Sequence, residues 1–177
     1  MKLLTTITLL IFMQPTHMLY DFTAESDPGE WMIIDDGVMG GRSRGNYQIN
    51  EQGHGDFSGK VSLENNGGFS LMRYRSERID VTPYQTLRIR LRGDGKRYQA
   101  RVKSKPNQRH SYIYSFNTTG KWEVVEIPLG EMTPSFRGIN LPIPDFPGKT
   151  IAEMGILIGN NKEEAFHLEM DWIALSP

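Results

Sequence analysis

The residues best placed for chemistry are two adjacent carboxylates inside a glycine-rich segment, Asp35-Asp36-Gly37-Val38-Met39-Gly40-Gly41. Neighbouring carboxylates can ligate calcium, a hard cation that takes oxygen donors. The alternative is structural, because aspartate beside glycine commonly accepts backbone hydrogen bonds inside a turn. The pair lacks the Asp-x-Asp-x-Asp spacing of a dedicated calcium loop, so the structural reading is the stronger and no metal site is expected. Asp94, in Arg92-Gly93-Asp94-Gly95, poses the same choice and receives the same answer. Asn65-Asn66-Gly67-Gly68 is a further segment whose composition describes backbone shape rather than a surface pattern.

The groups needed for catalysis do not assemble. His17, His54, His110 and His167 are scattered, and none forms a His-x-His or His-Glu-x-x-His metal pair. Gly41-Arg42-Ser43 is not a nucleophile elbow, which needs Gly-x-Ser-x-Gly at a strand-to-helix turn. The glycine segments fit neither a phosphate loop nor a dinucleotide fingerprint, since both open a helix immediately after the glycines. The chain has no cysteine, which removes thiolate nucleophiles, thiolate metal sites and disulfides. No catalytic residue is therefore assigned, no cofactor is expected, and the chain reads as a binding module rather than an enzyme.

Arginines offer the strongest binding chemistry. Arg73 in Leu71-Met72-Arg73-Tyr74 and Arg137 in Ser135-Phe136-Arg137-Gly138 stand among apolar and glycine residues, where a guanidinium usually reaches a carboxylate or a carbonyl. They either clamp the loops that carry Asp36 or Asp94, or line a shallow pocket. In Leu87-Arg88-Ile89-Arg90-Leu91-Arg92, a pleated strand turns the aliphatic residues inward and Arg88, Arg90 and Arg92 outward. Gly93-Asp94-Gly95 then reads as a tight hairpin turn, with Arg101 and Lys103 returning beside the arginines. This basic face either docks an anionic partner or pairs with Glu169 and Asp171 on another strand, and ion pairing is the favoured reading. Nucleic acid is not expected, because Tyr98 is the hairpin's only aromatic and alternation assigns it to the core. Tyr112, Tyr114 and Phe116 share one face, which is either core or an aromatic sugar platform. Trp122 and Trp172 at strand ends read as core or rim packing.

The elements that must position these groups are strands. At 177 residues the chain is the size of one domain, and its net charge of −1 supplies no global field toward nucleic acid or membrane. Period-two alternation recurs between glycine, proline and asparagine punctuation at residues 60–63, 68–74, 86–92, 98–103, 112–116, 122–127, 154–158 and 166–173. Short antiparallel strands of this number fit an all-β, jelly-roll sandwich of two packed sheets over residues 19–175. The stretch 128–147 carries five prolines and reads as a long ordered loop. Residues 1–17 read as a signal-like or tethering leader, or as sequence ahead of a true start at Met18, and are too short to span a bilayer. Location is thus open between exported and cytoplasmic, with the leader favouring export.

Several of these segments occur in an order similar to that of the complex I intermediate-associated protein 30 family: Trp31, the loop from Asp35 to Gly41, Asn65 to Phe69, Gly93 to Gly95, and Phe136-Arg137-Gly138. The resemblance runs from about Leu19 to Ile173. It implies a galactose-binding-like sandwich, an assembly or chaperone-like role, and protein partners among respiratory complex I subunits or assembly intermediates. The carbohydrate-binding modules that share that sandwich supply the alternative, an exported module with a glycan ligand. On this resemblance the signature positions are Asp35, Asp36, Gly37, Met39, Gly40, Gly41, Asn65, Asn66, Gly67, Gly68, Asp94 and Arg137, to which Arg73 is added as a candidate from its own apolar setting.

Overall fold

A computed structural model describes residues 16–177. Along them run thirteen strands: β1 (His17–Asp21), β2 (Trp31–Asp35), β3 (Arg44–Ile49), β4 (Gly55–Val61), β5 (Ser70–Asp80), β6 (Thr86–Arg92), β7 (Arg97–Lys103), β8 (Ser111–Asn117), β9 (Trp122–Pro128), β10 (Thr133–Phe136), β11 (Ile139–Asn140), β12 (Thr150–Ile158) and β13 (Glu164–Ser176). One sheet has the order β3-β4-β13-β6-β9, with β1 also paired to β13; the other has the order β11-β10-β8-β7-β12-β5-β2. The two-sheet, all-β jelly roll expected from alternation is the fold. Most of the leader lies outside the described residues. No helix among the described residues is long and apolar enough to cross a membrane.

Alternation decides what each sheet buries. In β6, Leu87, Ile89 and Leu91 are buried while the intervening arginines face outward. β13 keeps Phe166, Leu168 and Met170 inside, then places both Asp171 and Trp172 before the next inward residue, Ile173. This bulge shifts the alternation by one residue, so Ile173 and Leu175 return to the core. The facing layer comes from Met72, Tyr98, Val102, Met154 and Ile156. Trp31 closes one end of the core against Tyr20, Phe22, Tyr47 and Tyr74. Burial of so many large apolar side chains between two sheets, at about 25 cal/mol per Å² of apolar surface, is the main stabilising term.

Two expectations are corrected. The stretch 128–147 is not wholly loop, because β10 pairs with β8 and β11 folds back on β10. Second, β6 and β7 do not form a hairpin. β6 pairs with β13 and β9, whereas β7 pairs with β12 and β8, so Gly93-Asp94-Gly95 carries the chain from one sheet to the other. Period two states which face a side chain takes but not which strand lies beside it.

Candidate functional site

The signature loops converge on one carboxylate. Asp36 is fully buried at the start of a 3-10 turn, Asp36–Met39, that also contains Gly37. It accepts hydrogen bonds from the Ser43 hydroxyl at 2.5 Å, the Ser43 N–H at 3.0 Å, the Gly68 N–H at 2.6 Å and the Phe69 N–H at 3.3 Å. Burial alone would raise its pKa, but these donors outweigh burial and hold the carboxyl below the usual range. Two of the neighbouring glycines make room for this carboxylate. A Cβ at Gly41 would lie 2.2 Å from Asp36 Oδ1, and one at Gly67 would lie 2.5 Å from Oδ2. Gly40 ends the turn in the left-handed conformation at φ 87°, and its carbonyl accepts from the Asn65 side chain at 3.0 Å. Asp35 accepts the Gly45 N–H at 3.0 Å. Both aspartates therefore serve as acceptors for the loops.

Asp94 ties the sheet-to-sheet connection in the same way. It takes Lys96 Nζ at 2.6 Å, the Tyr98 hydroxyl at 3.0 Å and the His167 N–H at 3.0 Å. Burial works against its charge, but the Lys96, His167 and Tyr98 hydrogen bonds prevail and lower its pKa. Arg73 and Arg137 clamp neither aspartate. Arg73 lies 3.8 Å from Glu153 and reaches the Met32 sulfur, while Arg137 lies over the Phe136 ring. The clamp expected between arginines and aspartates is replaced by backbone N–H donors, which the glycines bring close enough to saturate Asp36.

A groove of about 720 Å³ runs over the outer face of the seven-stranded sheet. The two arginines meet there instead. Its floor is three rows set by strand register. Glu153 of β12 stands opposite Arg75 of β5 and Lys103 of β7; Gly155 opposite Arg73 and Arg101; Leu157 opposite Leu71 and Gln99. The walls are Asn66 to Phe69, Gly159 and Asn161 after β12, Arg109 before β8, and Phe136 to Gly138 at the β10–β11 turn. Backbone geometry is unusual at this rim. Among the described residues, the non-glycine residues at positive φ are Asn65, Asn66, Arg137 and Asn161, and the last three line the groove. Asparagine tolerates that region; arginine does so at a cost of about 1 kcal/mol.

The groove is electropositive. Five cations, Arg73, Arg101, Lys103, Arg109 and Arg137, line it with a single carboxylate, Glu153. Glu153 is 5% exposed and engages Lys103 at 3.0 Å and Arg75 at 3.3 Å. Burial pushes the Arg101 guanidinium below its ordinary pKa, opposed by the field of Glu153. Burial does the same to Arg73.

The expected basic face divides between the two sheets. Arg88, Arg90 and Arg92 lie on the outer face of the six-stranded sheet and pair with Glu126, Asp171 and Glu169. Arg90 and Arg92 also cover the Trp122 ring at 5.2 and 5.3 Å, and Arg88 lies over Trp172 at 6.0 Å. Arg101 and Lys103 belong to the opposite surface, in the groove. A single docking surface made of all five residues is thus ruled out by topology. Tyr112 and Phe116 are buried and Tyr114 packs against the core, so that aromatic face is core and not a sugar platform. Among the described residues, no group of three or more His, Asp or Glu is gathered for a metal.

Sequence reasoning missed Glu153, Gly155, Leu157 and Gln99. The signal for Glu153 was present: it is the one charge in the run Ile151 to Ile158, and a charge inside an apolar strand is buried only when paired.

Comparison with known proteins places this architecture. The family model described as complex I intermediate-associated protein 30 matches residues 20–170. The mitochondrial complex I intermediate-associated protein 30 of Mus musculus is 22% identical over 191 residues, covering 93% of this chain and 57% of that protein. Its Drosophila melanogaster counterpart is 22% identical over 185 residues, covering 90% of this chain and 62% of that protein. The chain thus spans about three-fifths of the length of these curated relatives. Among solved structures, a family 11 carbohydrate-binding module from Clostridium thermocellum, in complex with a β-1,3-1,4-mixed-linked tetrasaccharide, superposes with a TM-score of 0.63 at 19% identity, covering 91% of this chain and 95% of that one. The agarase AgWH50C superposes with a TM-score of 0.62 at 12% identity over 93% of this chain and 25% of the enzyme. These structural likenesses concern the fold. From the match over residues 20–170, the chain belongs to the complex I intermediate-associated protein 30 family.

Proposed function

We propose that this chain is a non-catalytic binding module that holds a segment of a partner protein in the groove of the seven-stranded sheet, as an assembly or chaperone-like factor. The observation that carries this reading is the make-up of the groove. Its one carboxylate is already engaged by Lys103 and Arg75, whereas glycoside hydrolysis needs two carboxylates with separate roles. Its remaining surface mixes cations with the aliphatic side chains of Ile34, Leu71 and Leu157, a composition suited to polypeptide. Family membership supports complex I subunits or assembly intermediates as the partner class. The Gly68–Phe69 loop held by Asp36 keeps that wall of the groove preformed, which lowers the ordering cost of binding.

Affinity capture from native membranes tests this reading. Gln99→Trp fills the groove without changing charge and is expected to abolish capture, while Arg88→Gln on the other sheet retains it. Capture that survives the plugged groove contradicts the reading. Capture released by soluble β-glucan favours the glycan alternative.

A further inference from the structure

We infer that the groove seats a carboxylate of an acidic segment of its partner protein over Gly155, between Arg73 and Arg101; this rests on the reading of the groove as a protein-binding face. Gly155 is opposite Arg73 on one side and Arg101 on the other. The two arginine positions are therefore two strand spacings apart, about 10 Å, with no side chain between them. Backbone packing also demands glycine here, since a Cβ would lie 2.6 Å from the Met72 carbonyl oxygen. The result is a gap in the floor flanked by two arginine positions, of which Arg73 also reaches the Met32 sulfur on its other side; a planar guanidinium fork suits a carboxylate.

Glu153 does not satisfy both arginines. It sits one row away, held by Lys103 and Arg75, and is 3.8 Å from Arg73. Arg101 has no carboxylate of a described residue among the ion pairs within 4 Å. Arg101 feels the field of Glu153 but has no carboxylate in contact, and an incoming carboxylate supplies the hydrogen-bonded partner it lacks. Arg109 and Arg137 extend the positive field to the rim, and both lie against the Phe136 ring, at 5.2 and 5.4 Å. That occupies the aromatic surface a sugar would stack on. On the other side of Gly155, Leu157 and Leu71 form an apolar step. Carboxylates beside aliphatic groups describe an acidic polypeptide; a neutral glycan has no carboxylate, and a polyuronate has no aliphatic side chain for the step.

Calorimetric titration at low salt tests this with three probes: a capped peptide alternating Glu and Leu, its counterpart with Gln for Glu, and oligogalacturonate. The acidic peptide is expected to bind at least about tenfold more tightly than the neutral one, and to weaken steeply as salt is raised. Arg101→Gln should remove that preference, Arg101→Lys should keep part of it, and Arg88→Gln should leave it intact. Equal binding of both peptides, unaffected by Arg101→Gln, overturns the acidic assignment but leaves the groove a peptide-binding face. Binding of oligogalacturonate with neither peptide bound overturns both. No binding by any probe at millimolar concentration overturns the acidic assignment. If Arg101→Gln does not fold, loss of the preference in Arg101→Lys or in Arg73→Lys decides the same question.

Discussion

The Asp36 carboxylate accepts the Gly68 backbone N–H at 2.6 Å across 32 residues of sequence, and so fixes the loop after β2 to the loop before β5. Because β5 forms part of the groove floor and Gly68 part of its wall, this bond sets the shape of the candidate site without touching a ligand. Asp36→Asn keeps the size but presents N–H groups to some of the donors around it. A buried donor left without an acceptor costs about 1–3 kcal/mol. The variant is expected to lose roughly 2–4 kcal/mol, lowering the melting temperature by roughly 5–15 °C, measured by thermal denaturation.

The same site carries a pH signature. Asp36 and Asp94 have folded-state pKa values below their unfolded ones. Their stabilisation is therefore complete above the unfolded value of about 3.9 and is lost as pH falls through the folded values. Melting temperature is expected to fall steeply below about pH 4 in the parent and less steeply in Asp36→Asn. Parallel curves for the two proteins contradict the assignment.

Gly37 and Gly41 share one loop and differ in what surrounds them. A Cβ at Gly37 meets nothing within 4 Å, whereas one at Gly41 collides with Asp36. Gly37→Ala is expected to change stability by less than about 0.5 kcal/mol, the range for neutral surface sites. Gly41→Ala should cost several times more, and denaturant unfolding of the two variants gives the comparison.

The arginines of β6 are expected to support stability rather than capture. Each pairs with a carboxylate and lies over an indole. The exposed Arg88–Glu126 pair is worth about 0.2–1 kcal/mol, whereas Asp171 is half-buried and Glu169 is buried, so those carboxylates lose more when their arginines go. Replacing Arg88, Arg90 and Arg92 together with glutamine should cost roughly 2–5 kcal/mol and leave partner capture unchanged. Loss of capture in a fully folded triple variant would return the docking role to this face.

Arg137 is held at φ 51°, a conformation that favours glycine. Arg137→Gly relieves roughly 1 kcal/mol of backbone strain but adds a similar loss of chain entropy on folding. Its stability should stay within about 1 kcal/mol of the parent, while binding weakens.

How much of this was legible in the sequence differs by element. β6 reads directly, since its three aliphatic and three arginine positions alternate without exception. β2 and β3 were hidden. β2 runs straight into the signature loop, and β3 is an edge strand in which only Tyr47 and Ile49 pack against the core. Asp36 was legible as a turn acceptor because its glycine neighbours announce close backbone approach. The groove was not. It depends on Arg73, Gly155 and Arg101 meeting across three strands 82 and 54 residues apart in sequence, and register of that range is written in no local pattern. Arg101 and Lys103 were therefore recognised as outward-facing but assigned to the wrong sheet.

The most direct test of the central claim places a photo-reactive residue at position 99, on the groove floor, or at position 124, an exposed site on β9 of the opposite sheet. After illumination in native membranes, the expected result is a covalent adduct to a discrete protein from position 99 and none from position 124. Adducts from position 124 alone, or equal labelling from both, would contradict the claim that the groove of the seven-stranded sheet is the binding face.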